Sequence, residues 1–202
     1  MPDFRDTRFL TSAADAGGFP PPGGPEIAFA GRSNAGKSSA LNAITATRGL
    51  ARTSKTPGRT QLINFFDLPG GGRLVDLPGY GFAQVPDAIK ARWRQLMESY
   101  LNGRETLARI VLVMDIRHPL KPFDEQMLSW AEHAGRPVHV LLTKADKLTR
   151  NHQNQALAKV RKALPEASLQ LFSAQDGTGV DVARQHLAAW LGWDEWQPRA
   201  QK

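Results

Sequence analysis

Residues 31–38 read Gly-Arg-Ser-Asn-Ala-Gly-Lys-Ser, and this stretch decides the fold of the chain. It follows the apolar run 27–30 and precedes a helical pattern, so a Gly-x-x-x-x-Gly-Lys-Ser loop joins a strand to a helix. The glycines let the backbone wrap around a phosphate, and the helix adds its positive N-terminal end. Lys37 is expected to reach the β- and γ-phosphates, and the Ser38 hydroxyl to bind Mg²⁺. The alternative, a glycine-rich turn that only caps a helix, explains less of this pattern.

The rest of the chain alternates apolar strand patterns with helical ones. Alternation of this kind predicts a mostly parallel sheet covered on both faces, here a three-layer α/β fold with six strands. The three glycines at 70–72 predict a hairpin turn that makes one strand antiparallel. Residues 1–25 are expected to form an extended leader, 26–191 the domain and 192–202 a tail. The predicted strands are 27–30, 62–67, 74–76, 110–115, 138–143 and 169–172, and the helical patterns cover 39–44, 89–100, 123–133, 157–164 and 180–191.

Further chemistry is expected just after the other strands, because ligands of such sheets lie beyond the carboxyl ends of the strands. Asp76 ends the strand 74–76 and can hold Mg²⁺ through water. The Gly79 amide, three residues on, can bond a γ-phosphate and so sense whether it is present. Asp-x-x-Gly also describes an ordinary turn, and it gains weight from its place after the phosphate loop.

Two later loops predict recognition of guanine. Thr143-Lys144-Ala145-Asp146 ends the strand 138–143, where the Asp146 carboxylate can accept two hydrogen bonds from guanine N1–H and N2–H₂. Adenine lacks this donor pair, and the Lys144 stem can lie over base and ribose. In 172–174, Phe-Ser-Ala, a backbone N–H can meet the guanine O6. This argues against the alternative of an ATP-using kinase.

The segment 48–60 is polar and aperiodic, which predicts a mobile loop. Thr60 at its end is the expected second hydroxyl ligand of Mg²⁺, placed when the γ-phosphate holds the loop. No Asp or Glu occurs from Ile27 to Phe66, and Lys90, Arg92 and Arg94 continue the positive surface. A basic surface beside nucleotide-sensing loops suits an RNA partner contacted through phosphate and shape, although it is also compatible with a merely solvated face.

Five motifs together resemble the EngB/YihA-type bacterial GTPases of ribosome assembly: GRSNAGKS, KTPGRTQLINFF, DLPGYGFA, TKAD and FSA. The resemblance implies a Ras-like fold of the translation-factor-related P-loop class, binding of GTP and GDP with Mg²⁺, and a role in maturation of the large ribosomal subunit. It also implies a need for the protein in cell division and septation. Ser38 and Thr60 are the implied metal ligands, and Lys37, Asn34, Thr60 and Gly79 the implied catalytic residues. The implied nucleotide contacts are Gly31, Arg32, Ser33, Asn34, Ala35, Gly36, Lys37, Ser38, Gly58, Arg59, Thr60, Gln61, Leu62, Asp76, Leu77, Pro78, Gly79, Thr143, Lys144, Ala145, Asp146, Phe172, Ser173 and Ala174.

Two departures from the wider GTPase pattern bear on activity. Thr143 stands where Asn is usual, and its shorter side chain predicts micromolar rather than picomolar affinity. Tyr80 stands where Ras-like enzymes place the Gln that orients water, which predicts slow intrinsic hydrolysis. Asn34 could help hold K⁺, as an Asn does in potassium-activated relatives. The ribosome, or Arg59 acting in cis, could supply the missing group instead.

Composition bounds the remaining possibilities. The 202 residues carry a formal charge of +7, which favours a polyanionic partner, here rRNA rather than DNA. There is no cysteine, no run of about 18 apolar residues and no secretory signal, so we expect a cytoplasmic monomer without a membrane partner. A rival interpretation is a binding module that holds guanine nucleotide without useful hydrolysis and docks a cell-division protein. The five histidines form no catalytic or metal-binding pattern.

Overall fold

The computed structural model describes residues 3–51, 62–79 and 86–193. These residues form one seven-stranded sheet with α-helices on both faces, which confirms the three-layer α/β architecture. The strands are β1 (Arg8–Ala13), β2 (Glu26–Gly31), β3 (Ile63–Asp67), β4 (Arg73–Asp76), β5 (Leu107–Asp115), β6 (Val138–Thr143) and β7 (Ser168–Leu171). The helices are α1 (Lys37–Thr45), α2 (Asp87–Gly103), α3 (Pro122–His133), α4 (Arg150–Ala163) and α5 (Val180–Trp190).

The strand order is β1-β3-β4-β2-β5-β6-β7. β2 lies near the middle, paired in parallel with β4 and β5, so the loop that follows it emerges at the centre of the carboxyl edge. β3 runs antiparallel to both of its neighbours, and a turn closed by the Leu68 N–H to Gly72 carbonyl bond joins it to β4. The antiparallel hairpin expected around the three glycines is confirmed.

The prediction of six strands was wrong by one. β1 lies within the segment 1–25, which was expected to be an extended leader ahead of the first regular element, and it forms the edge of the sheet beside β3. Its register shifts between Phe9 and Thr11, and its first three residues are exposed. A bulge of this kind removes the period-two alternation by which a half-buried strand is recognised in sequence.

Alternate residues of the central strands enter two different cores. Ala28 and Ala30 of β2 face the layer of α2, α3 and α4, whereas Ile27 and Phe29 face the layer of α1 and α5. All four are fully buried. A strand buried on both faces reads as a continuous apolar run, which is why β2 was recognisable from sequence.

A buried polar cluster connects β2, β4 and the end of α2. It lies at the amino ends of β2 and β4, opposite the phosphate loop. The Glu26 carboxylate is fully buried; the single Nε–H of Arg104 is shared between its two oxygens, at 3.1 and 3.0 Å, and Arg104 Nη2 donates to it at 2.5 Å. Tyr100 Oη donates to it at 3.0 Å, and Arg73 Nη1 lies at 3.5 Å. Burial, reinforced by the neighbouring Glu26 charge, raises the pKa of Tyr100 well above its usual value.

The two ends of the described chain meet. Phe4 is fully buried, and its ring lies 4.8 Å from that of Trp193, centroid to centroid. Trp193 Nε1 also donates to the Gly70 carbonyl at 3.3 Å. Trp193 therefore docks on the body of the domain.

His139 of β6 is a buried histidine held by a chain of hydrogen bonds. Its Nδ1 lies 2.8 Å from Ser168 Oγ and its Nε2 3.0 Å from Gln170 Oε1. Its ring packs on those of His186 and Trp190. Both ring nitrogens are engaged, and the described residues contain no cluster of three or more His, Cys, Asp or Glu side chains suited to a metal.

No helix within residues 3–51, 62–79 and 86–193 is long and apolar enough to cross a bilayer.

We expect the protein to lose stability in mild acid through His139. Burial lowers its pKa to about 4, below the value of about 6.5 in an unfolded chain. The unfolded state therefore binds more protons between these values, so this stabilisation is complete above about pH 6.5 and falls as pH drops toward 4, by at most about 3 kcal/mol. Urea unfolding at several pH values should show a shallower acid loss in His139→Gln. His133→Gln, at an exposed site, should keep the wild-type slope.

Candidate functional site

The loop between β2 and α1 has the backbone shape of a phosphate cradle. Asn34 and Gly36 both have positive φ, 63° and 99°, and the Ala35 N–H donates to the Arg32 carbonyl at 3.0 Å. A Cβ added to Gly31 would lie 2.8 Å from the Val113 carbonyl oxygen, so only glycine fits there beside β5. The loop therefore needs glycine at the first position for packing, and at the sixth for conformation.

Thr143 braces this loop from the end of β6. Its Oγ1 lies 2.5 Å from the Ala35 carbonyl oxygen and 3.0 Å from that of Met114. One hydroxyl carries one proton, so we assign the hydrogen bond to the shorter contact. A threonine therefore reaches the phosphate loop as a longer side chain would. Micromolar affinity for guanine nucleotide stays a prediction. Its physical basis would be a weaker contact of Thr143 with the base, since its contact with the phosphate loop is made.

Lys37 and Asp76 neutralise each other beneath the loop. Lys37 Nζ donates to Asp76 Oδ1, and about a tenth of each side chain is exposed. A phosphate and a Mg²⁺-bound water could each replace one partner without leaving a buried charge unpaired. Ser38, the second residue of α1, adds a hydroxyl oxygen, the donor type that Mg²⁺ accepts. The residues present thus fit a nucleotide phosphate with Mg²⁺.

The loop after β4 passes alongside the phosphate loop. A Cβ built on Gly79 would lie 3.7 Å from Ser33 N and Cα and 3.9 Å from the Gly31 carbonyl oxygen. Gly79 therefore lies against the backbone of the phosphate loop at Ser33. Leu77, two residues earlier, is fully buried, so any contact that it makes with a nucleotide comes from its main chain.

A carboxylate for base recognition is fixed by the last strand. Ser173 Oγ donates to Asp146 Oδ1 at 2.7 Å, and the same hydroxyl oxygen accepts the N–H groups of Gln175 and Asp176. The hydroxyl bond from Ser173, with help from Lys147, lowers the pKa of Asp146. The carboxylate is thus ionised and oriented, as two hydrogen bonds from guanine would require.

Lys144 connects the base loop to the phosphate loop. Its backbone is left-handed, with φ 59°, and its Nζ donates to the Asn34 carbonyl at 2.6 Å and to Asp115 Oδ2 at 2.9 Å. Arg117 holds the same carboxylate with two bonds, at 2.9 and 2.7 Å. Although burial pushes the pKa of Asp115 upward, the hydrogen bonds from Arg117 and Lys144 keep it well below its ordinary value.

Asp115 and Arg117 were not among the residues expected from sequence. Asp115 ends β5, and the rule that ligand contacts follow strand ends would have pointed to it. No motif marks it, because it acts on Lys144 rather than on a ligand. It positions a side chain that spans two nucleotide loops.

Asp115→Asn should weaken GTP binding about tenfold, because it removes the charge-assisted hydrogen bond that holds Lys144, a bond of about 1.5–3 kcal/mol. Titration with a fluorescent GTP analogue measures the effect. Asp181→Asn, which breaks an exposed ion pair with Arg184 on α5, is the control and should keep wild-type affinity. Equal dissociation constants for the two variants would contradict the positioning role.

The structure brings together most of the expected nucleotide residues. The described loops at 31–38, 76–79, 143–146 and 172–174 all lie at the carboxyl edge of the sheet, with Leu62 just before β3. The side chains of Ala145 and Phe172 are fully buried, and the Ala145 N–H to Phe172 carbonyl bond joins their loops at 3.1 Å. Four expected contacts, Gly58, Arg59, Thr60 and Gln61, and the substituted position Tyr80 lie outside the described residues.

A phosphate loop, a strand-end carboxylate beside it and an oriented base-recognition carboxylate on this α/β sheet define a P-loop GTPase. Probable GTP-binding protein EngB of Aromatoleum aromaticum is 55% identical over 196 residues, covering 95% of this chain and 91% of its own. That of Coxiella burnetii is 53% identical over 194 residues, covering 94% and 95%. The chain belongs to the EngB family of GTP-binding proteins.

Two further comparisons agree. The family model described as 50S ribosome-binding GTPase matches residues 26–144. A crystal structure of a probable GTP-binding protein EngB superposes with a TM-score of 0.68 at 20% identity, covering 83% of this chain and 99% of that one. A structure of Era superposes at 0.67 and 22% identity, covering 88% and 59%. At such identities the structural matches establish the fold alone.

Proposed function

We propose that this protein is a slow GTPase switch acting in assembly of the large ribosomal subunit. The observation that carries the proposal is a group of exposed cations close in sequence to the residues expected to sense the γ-phosphate. Lys90, Arg92 and Arg94 are exposed on α2, the helix that follows residues 76–79 in the chain, and Arg48 is exposed after α1. Family membership and the description of the matching family model, 50S ribosome-binding GTPase, support a ribosomal partner. Era, a structural neighbour at 22% identity of which the chain covers 59%, has itself been solved in complex with nucleotides of 16S ribosomal RNA.

The described residues suggest how the switch would work. Lys37 would leave Asp76 to neutralise the β- and γ-phosphates, and Gly79 would bond the γ-phosphate. Asp146 would select guanine. Mg²⁺ would be held by Ser38 and Thr60, with Asp76 acting through water, and would neutralise phosphate charge. We also propose that the protein is monomeric and acts in the cytoplasm, where its ribosomal partner would be. The proposal extends to cell division and septation on family membership alone.

Hydrolysis is proposed to be slow, because Tyr80 stands where a water-orienting Gln would be needed. Asn34 is exposed, and none of the described residues forms a hydrogen bond with its side chain, so its amide oxygen is available to a cation. We expect faster turnover in KCl than in NaCl at matched ionic strength, and loss of that difference in Asn34→Ala. Equal rates in the two salts would exclude a K⁺ role and leave activation by the ribosome.

Co-sedimentation with 50S particles tests the function. Binding should be at least tenfold tighter with a non-hydrolysable GTP analogue than with GDP, and should weaken with salt. Lys90→Gln/Arg92→Gln/Arg94→Gln should lose most of the GTP-dependent gain while binding GTP normally. Binding that ignores both salt and nucleotide would contradict the proposal. Turnover measured with and without 50S particles separates it from a docking module that does not hydrolyse GTP.

A further inference from the structure

Helix α4 has an unusual charge composition. From Lys147 to Leu164 the chain contains no Asp or Glu. The shorter α1 also has none but carries only one cation, whereas α2, α3 and α5 each carry at least one acidic residue. The helix also contains three Asn or Gln side chains within its first turns, at 151, 154 and 155, in addition to the partly buried Gln153. Its cations are Arg150, Lys159, Arg161 and Lys162.

These four cations are exposed, and none has a carboxylate partner among the described residues. Within residues 3–51, 62–79 and 86–193, none of them forms an ion pair or a side-chain hydrogen bond with another residue. Many other cations of the domain are paired with carboxylates. The paired ones are Arg5, Lys37, Arg73, Lys90, Arg104, Arg117, Lys144, Lys147 and Arg184. The charge of α4 is therefore free to act on a partner.

The outward face of α4 is polar along its whole length. Val160 is the one fully buried residue of the helix, and Gln153, Ala156 and Leu157 share its inward side. At 100° per residue the opposite side carries amides and cations and no large apolar side chain. The exposed face, which we call the α4 face, carries Arg150, Asn151, Asn154, Gln155, Lys159, Arg161 and Lys162, together with His152 and the small side chains of Ala158 and Ala163.

This combination fits RNA better than a membrane or an acidic protein surface. Cations spread over about 18 Å of helix can follow a line of phosphates, and amides can bond 2′-hydroxyls or base edges. A membrane-binding helix needs large apolar residues to insert, and the α4 face has none. An acidic protein partner would leave the row of amides without a specific role.

The position of α4 separates it from the γ-phosphate sensor. Gln153 Nε2 donates to the Ala145 and Leu148 carbonyls, at 2.8 and 3.1 Å, which fixes the first turn to the base loop. The helix packs against β7. Three strands, β2, β5 and β6, lie between β7 and β4, and residues 76–79 follow at the end of β4. The base loop is needed for GDP and GTP alike, so the α4 face should be presented equally in both states.

We propose that the α4 face is a second RNA-binding surface, which holds RNA phosphates in both nucleotide states while the α2 side responds to GTP. The identity of that RNA as rRNA rests on the proposed function; the binding chemistry does not. After GTP hydrolysis only the contacts of α2 with RNA would be lost, and the contacts of α4 would keep the protein bound to its RNA.

The test is the binding of a labelled RNA hairpin, with GDP and with a GTP analogue, over a range of salt. Lys159→Gln/Lys162→Gln should bind about tenfold more weakly at about 0.15 M salt in both states, with the slope of log K against log salt reduced by about two. Lys159→Arg/Lys162→Arg should bind like the wild type. Arg5→Gln/Arg8→Gln removes the same charge near β1, at the other end of the sheet, and should keep both affinity and slope.

Three results would overturn the inference: unchanged affinity in the glutamine variant, a loss confined to the GTP state, or α4-dependent binding to anionic phospholipid vesicles without binding to RNA. The same variants on 50S particles separate it from the proposed function. GTP-dependent 50S binding that is unchanged by the α4 substitutions would support the proposed function and contradict the inference. Hairpin binding that depends on α4, without any 50S binding, would support the inference and contradict the proposed function.

Discussion

Asp146→Asn should weaken GTP binding at least a hundredfold and create measurable binding of XTP. The carboxylate would accept two hydrogen bonds from guanine, each worth about 1.5–3 kcal/mol because the acceptor is charged. An amide keeps one acceptor and turns its other group, an NH₂, toward a donor of the base. Xanthine carries a carbonyl in place of the 2-amino group, so the NH₂ then finds an acceptor. Competition titration of GTP, XTP and ATP against a fluorescent nucleotide measures the change.

Ser173 and Gln175 provide the controls for this variant. Ser173→Ala removes the bond that orients Asp146, at 2.7 Å, and should weaken GTP without gaining XTP. Gln175→Ala leaves that bond in place and should bind GTP like the wild type, since its side chain contacts Lys147 at the surface. Wild-type GTP affinity in Asp146→Asn would mean that the base is recognised elsewhere.

Glu26→Gln should lower the free energy of unfolding by about 3–5 kcal/mol, the usual cost of breaking a buried ion pair from one side. The side chain keeps its size but loses the charge that balances Arg104, which is itself buried. Tyr100 Oη would also lose its ionised acceptor. Urea unfolding measures the loss. If Glu26→Gln does not fold, Tyr100→Phe removes the 3.0 Å hydrogen bond alone and should cost about 1 kcal/mol.

A surface ion pair gives the matched comparison for the buried one. Asp87 and Lys90 lie 3.1 Å apart at the start of α2, and the Asp87 side chain is almost entirely exposed. Asp87→Asn should therefore change stability very little, because water and salt screen exposed pairs. Similar losses for Glu26→Gln and Asp87→Asn would show that the buried cluster does not stabilise the fold.

The parts of the site whose chemistry is local could be predicted from the sequence. The phosphate loop and the base loop are short motifs whose residues follow one another, and each comes directly after a buried apolar strand. Contacts between residues that are distant in sequence could not be predicted in this way. Glu26 meets Arg73, Tyr100 and Arg104 at separations of 47, 74 and 78 residues, and no spacing rule connects them.

Two other gaps have specific physical causes. β1 lacks alternation because of its bulge, so its strand character becomes visible only beside β3. Asp115 belongs to no motif because it acts through Lys144. Thr143 makes a contact that its residue type alone does not indicate: its Oγ1 reaches the Ala35 carbonyl of the phosphate loop from the end of β6.

The pairing of β1 with β3 also constrains how the chain can be made. Ser12 and Asn64, which are hydrogen-bonded across these strands, are 52 positions apart. During translation the first strand therefore leaves the exit tunnel long before its neighbour, and a nascent chain of this length carries Phe9 and Leu10 with no edge to pair with. Domains fold as units once their last partners emerge, so chains that stop before β3 should be prone to aggregation. A bulky fusion at the N-terminus should therefore interfere with the late pairing of β1 and β3 more than a fusion placed after α5.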